Sequence, residues 1–176
     1  MSGSANPFQP LLDLPVISRI RRNHGLEHAT IHVLSGRFRG VGLAGRSTPG
    51  GFYLYGDLPT EAITEAADEA LKRMKGGEHH LAVHPGCGTN FVIAGTFAAV
   101  AAFVALLGAG RSFRDRIGRL PNMVLAATLA LLLSQPAGFA AQQHFTTSGE
   151  PGEMEIQSVR LISRRPVVTH RVATQG

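Results

Sequence analysis

The chain has 176 residues, 16% charged and 44% hydrophobic, and its 17 basic and 12 acidic side chains leave +5 with histidine neutral. A charge content well below the roughly 25% usual for soluble domains excludes a disordered polyelectrolyte. The single cysteine, Cys87, excludes a disulfide-stapled scaffold, and scattered basic residues without a recognition motif leave no nucleic-acid partner to expect.

Residues 1–13 read as a disordered N-terminus and residues 14–90 as a small α+β domain. Leu14 to Ser35 carries helical periodicity, with Gly36 as a stop signal. Phe38 to Gly56 holds two strand-like runs around Ser47-Thr48-Pro49-Gly50-Gly51, which predicts a β-hairpin. Thr60 is expected to cap a helix running to Gly77, with Glu61 near its positive end and Lys72, Arg73 and Lys75 near the other. Ile63, Ala66, Ala67, Ala70, Leu71 and Met74 form its apolar stripe, while Glu61, Glu65, Asp68 and Glu69 mostly face away as a solvated face. His80 to His84 reads as a short strand that turns sharply over Pro85 to Gly88.

Two uncharged runs follow, Phe91 to Gly110 and Leu120 to Gln143. A hydrocarbon core about 30 Å thick needs about 20 helical residues at about 1.5 Å each, so both runs can span it. The link between them carries Arg111, Arg114, Arg116 and Arg119 against Asp115. Residues 91–143 therefore read as a transmembrane helical hairpin (spans 91–110 and 120–143). A soluble buried helix pair is the other reading, and so small a chain can hardly cover both helices on all sides. Pro136 predicts a kink or early end in the second span, and Gly95 would admit a neighbouring helix. The loop arginines tie with Lys72, Arg73, Lys75 and Arg160 at the outer ends. Cytoplasmic termini are the expected orientation, because the other would export a long N-terminal segment without a signal sequence. Residues 144–176 form a β-rich tail, with Met154–Ile162 and Val167–Val172 as strands; whether they pair with the N-terminal strands is left open.

The chemistry concentrates in Arg22-Asn23-His24-Gly25-Leu26-Glu27-His28. On a helix the H-x-x-E-H spacing puts His24 and His28 one turn apart with Glu27 beside them. Ile17, Ile20, His24, Glu27, His28 and Ile31 follow steps of three and four, so the polar trio continues an apolar stripe. Ionisable groups aimed at a core are costly unless paired or bound to a cation. Two imidazoles from successive turns are a common zinc half-site that needs further ligands. A second cluster, Glu78, His79, His80, His84 and Cys87, offers them; His84 or Cys87 would complete a site. The competing reading is a buried hydrogen-bonded network without metal. Haem ligation by His24 or His84 lacks any attachment motif.

The H-x-x-E-H order resembles that of the inverzincin peptidases over these five residues, which implies histidines on zinc and Glu27 as the base that activates its water. The third ligand of those enzymes is a downstream acid, and here the downstream acids fall on a solvated face. Over residues 18 to 147, HGLEHATIHVLSG, GGFYLYG, LAVHPGCGTN and the apolar hairpin together resemble an uncharacterised family of bacterial integral membrane proteins, with members in cyanobacteria and Chloroflexi. That resemblance implies a membrane protein, points also to His24, Glu27, His28, His84, Cys87 and Asn90, and carries no activity.

Two functions compete. One is a membrane-anchored zinc hydrolase, most simply a peptidase, with metal on His24, His28 and His84 or Cys87 and with Glu27 as general base. The other is a non-catalytic accessory or assembly subunit in which the cluster is structural. The partners expected are the lipid bilayer and other membrane subunits or a second copy of the chain.

Overall fold

The computed structural model describes residues 7–110 and 112–176. The chain forms two compact units: the segment ending at His84 joined by Gln143–Gly176, and Pro85–Gln142. The first contains the helices α1 (Gln9–Leu12), α2 (Pro15–Arg37) and α3 (Thr60–Lys75), and the strands β1 (Ala44–Thr48), β2 (Gly51–Tyr55), β3 (Glu155–Ser163) and β4 (Thr169–Gln175). The second contains α4 (Gly88–Leu106), α5 (Phe113–Ile117), α6 (Leu120–Leu133) and α7 (Gln135–Ala141).

The fold is a mixed one, as the sequence predicts: helices packed on an antiparallel sheet, together with a pair of apolar helices. The sheet has the order β1-β2-β4-β3. β1 and β2 are joined by the two-residue Pro49-Gly50 loop, with Thr48 opposite Gly51. β2 then pairs with β4, setting Phe52 against Val172 and Leu54 against His170. The C-terminal strands thus return to the N-terminal hairpin and complete one sheet. Phe52, Leu54 and Val172 are buried with Leu26 and Leu34 of α2 and with Ile63, Ala66, Ala70 and Met74 of α3. All six residues of the predicted α3 stripe are buried. The solvated acids Glu65 and Glu69 pair with Arg37 at the end of α2.

Three local expectations are corrected. The stretch expected to be a disordered N-terminus carries the short helix α1, while residues 1–6 lie outside the described residues. Thr60 does not cap α3: Pro59 is the N-cap, and the Thr60 hydroxyl instead meets His170 Nε2 at 3.0 Å. The predicted strand at His80–His84 is a 3₁₀ turn over His79–Ala82. Leu81 and Ala82 are consecutive and both buried, which an alternating strand does not allow. The turn starts where Glu78 is anchored by Arg73 at 2.6 Å.

In the second unit α4 packs on α6 and α7. Gly88–Leu106 and Phe113–Leu133 are long and apolar enough to cross a membrane. No residue of α4 or α6 is buried, and Phe91, Phe103, Val124 and Leu133 stand well exposed. The second helix begins earlier than its uncharged run, because Ser112 and Asp115 form a capping box at the start of α5. Arg111, one of the four loop arginines, lies outside the described residues. As predicted from Pro136, the helix breaks: α6 ends at Leu133 and α7 restarts with the proline in its first turn. Gly95 has open space where a side chain would stand; the close approach is at Gly138, where a Cβ would meet Asn90 Oδ1 at 2.5 Å. Asn90 Oδ1 accepts from Gln142 Nε2 at 2.8 Å, and Asn90 Nδ2 donates to the Pro85 carbonyl at 2.8 Å.

Candidate metal centre

The middle of α2 is deeply set: every residue from Gly25 to Ile31 is buried. Gly25 makes this possible: a Cβ there would stand 2.1 Å from the Ser148 carbonyl oxygen. The segment after the apolar helices therefore lies directly on α2, fastened by Ser148 N–H donating to the Arg21 carbonyl at 2.9 Å.

That close approach orients the first histidine. His24 Nδ1 is 2.9 Å from the Thr146 carbonyl oxygen, and His28 Nδ1 is 2.8 Å from that of Ala82 in the 3₁₀ turn. A carbonyl oxygen only accepts, so both Nδ1 atoms carry hydrogen and both lone pairs sit on Nε2. The two rings meet edge to face with centroids 4.4 Å apart. This is the arrangement in which imidazole binds a metal: one nitrogen held by a main-chain oxygen, the other presented as ligand.

Two further imidazoles continue the row. His84 lies 5.7 Å from the His28 ring and 4.8 Å from that of His32, centroid to centroid. His32 donates from Nε2 to the Val83 carbonyl at 2.8 Å. Burial, then the neighbouring His32 and His28, push the His84 pKa down to about 4, so at neutral pH its ring is uncharged. His79 and His80 are exposed.

His24 and His28 thus offer two imidazole nitrogens from successive turns of one helix. Cys87, another residue expected at the site, belongs to the second unit. Glu27, only 4% exposed, accepts a short hydrogen bond from the Ser47 hydroxyl of β1. A Cβ on Gly45 would run into its carboxylate. The acid that sequence spacing pairs with the histidines is thus built into the helix–sheet contact.

Several supporting residues are not foreseen by motif reasoning. Asn23 is 1% exposed. It donates to the Thr48 carbonyl at 2.8 Å and accepts from Thr174 Oγ1 at 2.7 Å, tying the hairpin turn to β4. The Ala82 and Thr146 carbonyls carry no side-chain signal. Gly25 was the visible clue, because a glycine inside a helix costs about 1 kcal/mol and commonly marks a close contact.

The comparisons with known proteins agree with the resemblance read from the sequence at the level of the family. A family model described as a domain of unknown function (DUF6391) matches residues 19–159. An uncharacterised protein of Picosynechococcus sp. is 34% identical over 141 residues, covering 73% of this chain and 66% of the relative. The chain thus spans just under two thirds of the length of that curated relative. No solved structure matches. The family match covers most of helix α2, the hairpin, α3 and the whole apolar pair, and on that breadth the chain belongs to the DUF6391 family.

Proposed function

We propose that this is a multi-pass membrane protein carrying a divalent transition metal, zinc by its donor set, with His24 and His28 as the primary ligands and Cys87 and His84 completing the site. The observation that carries this reading is the shared tautomer of His24 and His28, each with Nδ1–H given to a main-chain carbonyl and its lone pair on Nε2. Imidazole and thiolate together suit zinc. When bound, zinc would neutralise the thiolate and fix the two rings of α2. Around it, the chain's own residues orient the rings and exclude water: His28 is 2% exposed and Cys87 5%.

The hairpin supports membrane insertion by length, composition and the exposure of its apolar side chains. With both termini of the hairpin joined to one folded unit, the expected side for that unit is the cytoplasm. Of the two functional classes, the placement of Glu27 favours the accessory or assembly subunit over the hydrolase. A general base must accept a proton from a water at the metal, whereas this carboxylate is engaged by Ser47. The hydrolase reading retains the H-x-x-E-H spacing as its support.

The deciding experiment is metal analysis by inductively coupled plasma mass spectrometry on protein purified in detergent without chelator, beside His24→Ala/His28→Ala. About one zinc per chain, lost in the double variant, is expected. Absence of stoichiometric metal in the parent protein overturns the metal centre. Glu27→Gln then separates the classes: a hydrolase keeps its zinc and loses turnover, while a structural Glu27 shows as lost stability.

A further inference from the structure

Among its described residues the first unit leaves an apolar surface uncovered near its N-terminal end. Phe8, Leu11, Leu14 and Val16, from the start of α1 into the first turn of α2, are each between 48% and 58% exposed. Four large apolar side chains within nine residues of a water-facing surface are unfavourable, at about 25 cal/mol for each Å² left in water. The place of this surface in the chain indicates what covers it. Phe8 packs edge to face on Phe145, centroids 5.8 Å apart, and Phe145 follows the last residue of α7, Ala141, by only four positions. Arg21 Nη2 fixes the same junction, donating to the carbonyls of His144 and Thr147 at 3.3 and 3.1 Å. The exposed apolar surface is therefore fastened to the point at which the chain leaves its last apolar helix.

From this we infer that α1 and the first turn of α2 form an interfacial lipid anchor, with Phe8, Leu11, Leu14, Val16 and Phe145 seated among the headgroups and upper acyl chains of the bilayer. The inference rests on the proposal that the hairpin spans the membrane. Its geometry is that of a helix lying in the interface plane, its apolar side about 5–10 Å below the headgroups. Arg19, exposed on the next turn of α2, supplies a cation that reaches lipid phosphate while its stem stays apolar. Asp13, the acid within the surface, is already engaged by Gln9 at 2.9 Å. The anchor would also hold the outer end of α2, and hence the His24 turn, at a fixed height above the bilayer.

The test exploits the absence of tryptophan from the chain. Leu11→Trp and, separately, Val16→Trp introduce single reporters at exposed positions that tolerate a larger ring. Phe103→Trp reports on the last turn of α4, and Glu65→Trp on the solvated side of α3. Each full-length variant is reconstituted in phosphatidylcholine vesicles, with or without lipids brominated near the carboxyl end of the acyl chain. Emission from Leu11→Trp and Val16→Trp is expected to shift to the blue and fall to about half in brominated vesicles, with Glu65→Trp unchanged. Quenching at Phe103→Trp, with Leu11→Trp and Val16→Trp behaving like Glu65→Trp, overturns the anchor and leaves the hairpin standing. Absence of quenching at Phe103→Trp overturns the membrane reading itself.

Discussion

His28 gives its Nδ1–H to the carbonyl of Ala82 across 2.8 Å, joining residues 54 positions apart. The same bond is made by His24 to Thr146, 122 positions away. Each main-chain oxygen selects the tautomer of one imidazole, so the Nε2 lone pairs are set by the folding of two distant segments onto α2.

Gly25→Ala tests that dependence. Its Cβ would stand 2.1 Å from the Ser148 carbonyl oxygen, a backbone atom that cannot rotate away. We expect a loss of about 1–3 kcal/mol in stability, the usual range for overpacking. The displaced 146–148 segment would also lower zinc occupancy. Thermal denaturation in detergent and metal analysis read the two effects. A variant as stable and as zinc-loaded as the parent would remove Gly25 from this role.

Metal removal should weaken the fold, because an ion that binds only the folded state stabilises it by about 2.7 kcal/mol at a hundredfold excess over its dissociation constant. A chelator is expected to lower the melting temperature of the parent protein and to leave His24→Ala/His28→Ala unmoved. Equal chelator effects on both proteins would place the metal elsewhere.

Glu27 and Ser47 form one unit across the helix–sheet contact. Hydrogen bonds to charged groups contribute about 1.5–3 kcal/mol, so Ser47→Ala and Glu27→Gln should each destabilise. In the double variant their effects should fall short of additivity by about 0.5 kcal/mol or more. Simple addition of the two losses would show that the pair is not coupled and would return Glu27 to the hydrolase reading.

The helices, the β-hairpin and the α3 stripe are legible in the sequence because periodicity and turn chemistry act locally: the six α3 positions are buried as their spacing requires. The placement of Glu27 is not legible. Residues 24, 27 and 28 share a helical face to within one turn, yet β1 takes the carboxylate while the 3₁₀ turn and the 146–148 segment take the imidazoles. That partition depends on long-range packing at Gly45 and Gly25, which spacing along one helix does not encode. The turn in the His80–His84 stretch is hidden from the sequence for a related reason. Its residues alternate like a strand, but burial of both Leu81 and Ala82 under α2 selects a 3₁₀ turn.

His170 supplies a pH dependence with a definite sign. It is 1% exposed; burial, and then the charge of Arg164, hold its pKa below the ordinary histidine value. Its Nδ1 is without a hydrogen-bond partner among the described residues. The unfolded chain, titrating near 6.5, then binds more protons than the folded one as the pH falls. Stability contributed by the neutral ring is present above that value and is lost below it, by at most about 1.4 kcal/mol per pH unit. The melting temperature of the parent should therefore fall more steeply between pH 7 and 5 than that of His170→Gln. The comparison between the two isolates His170 from His84, whose pKa is also lowered. Parallel curves would contradict the assignment.

Within the apolar pair, Asn90 and Gln142 supply the polar tie. Asn90 accepts from Gln142 at 2.8 Å and donates to the Pro85 carbonyl at 2.8 Å, beside the close approach at Gly138. Lipid-facing apolar surfaces give helices little reason to associate, so packing and hydrogen bonds between them carry the specificity, at about 0.6–2 kcal/mol for a bond of this kind. Asn90→Leu should cost stability of that order without removing the protein from membranes. Gln142→Leu should cost less than Asn90→Leu, because Asn90 keeps its bond to Pro85. Unfolding in mixed micelles measures the two losses, and alkaline carbonate extraction checks that both variants remain in the membrane pellet. If Asn90→Leu is neutral, the hairpin is held by packing, at Gly138 among other places. In that case Gly138→Leu, whose side chain would meet Asn90, becomes the variant that must separate the helices.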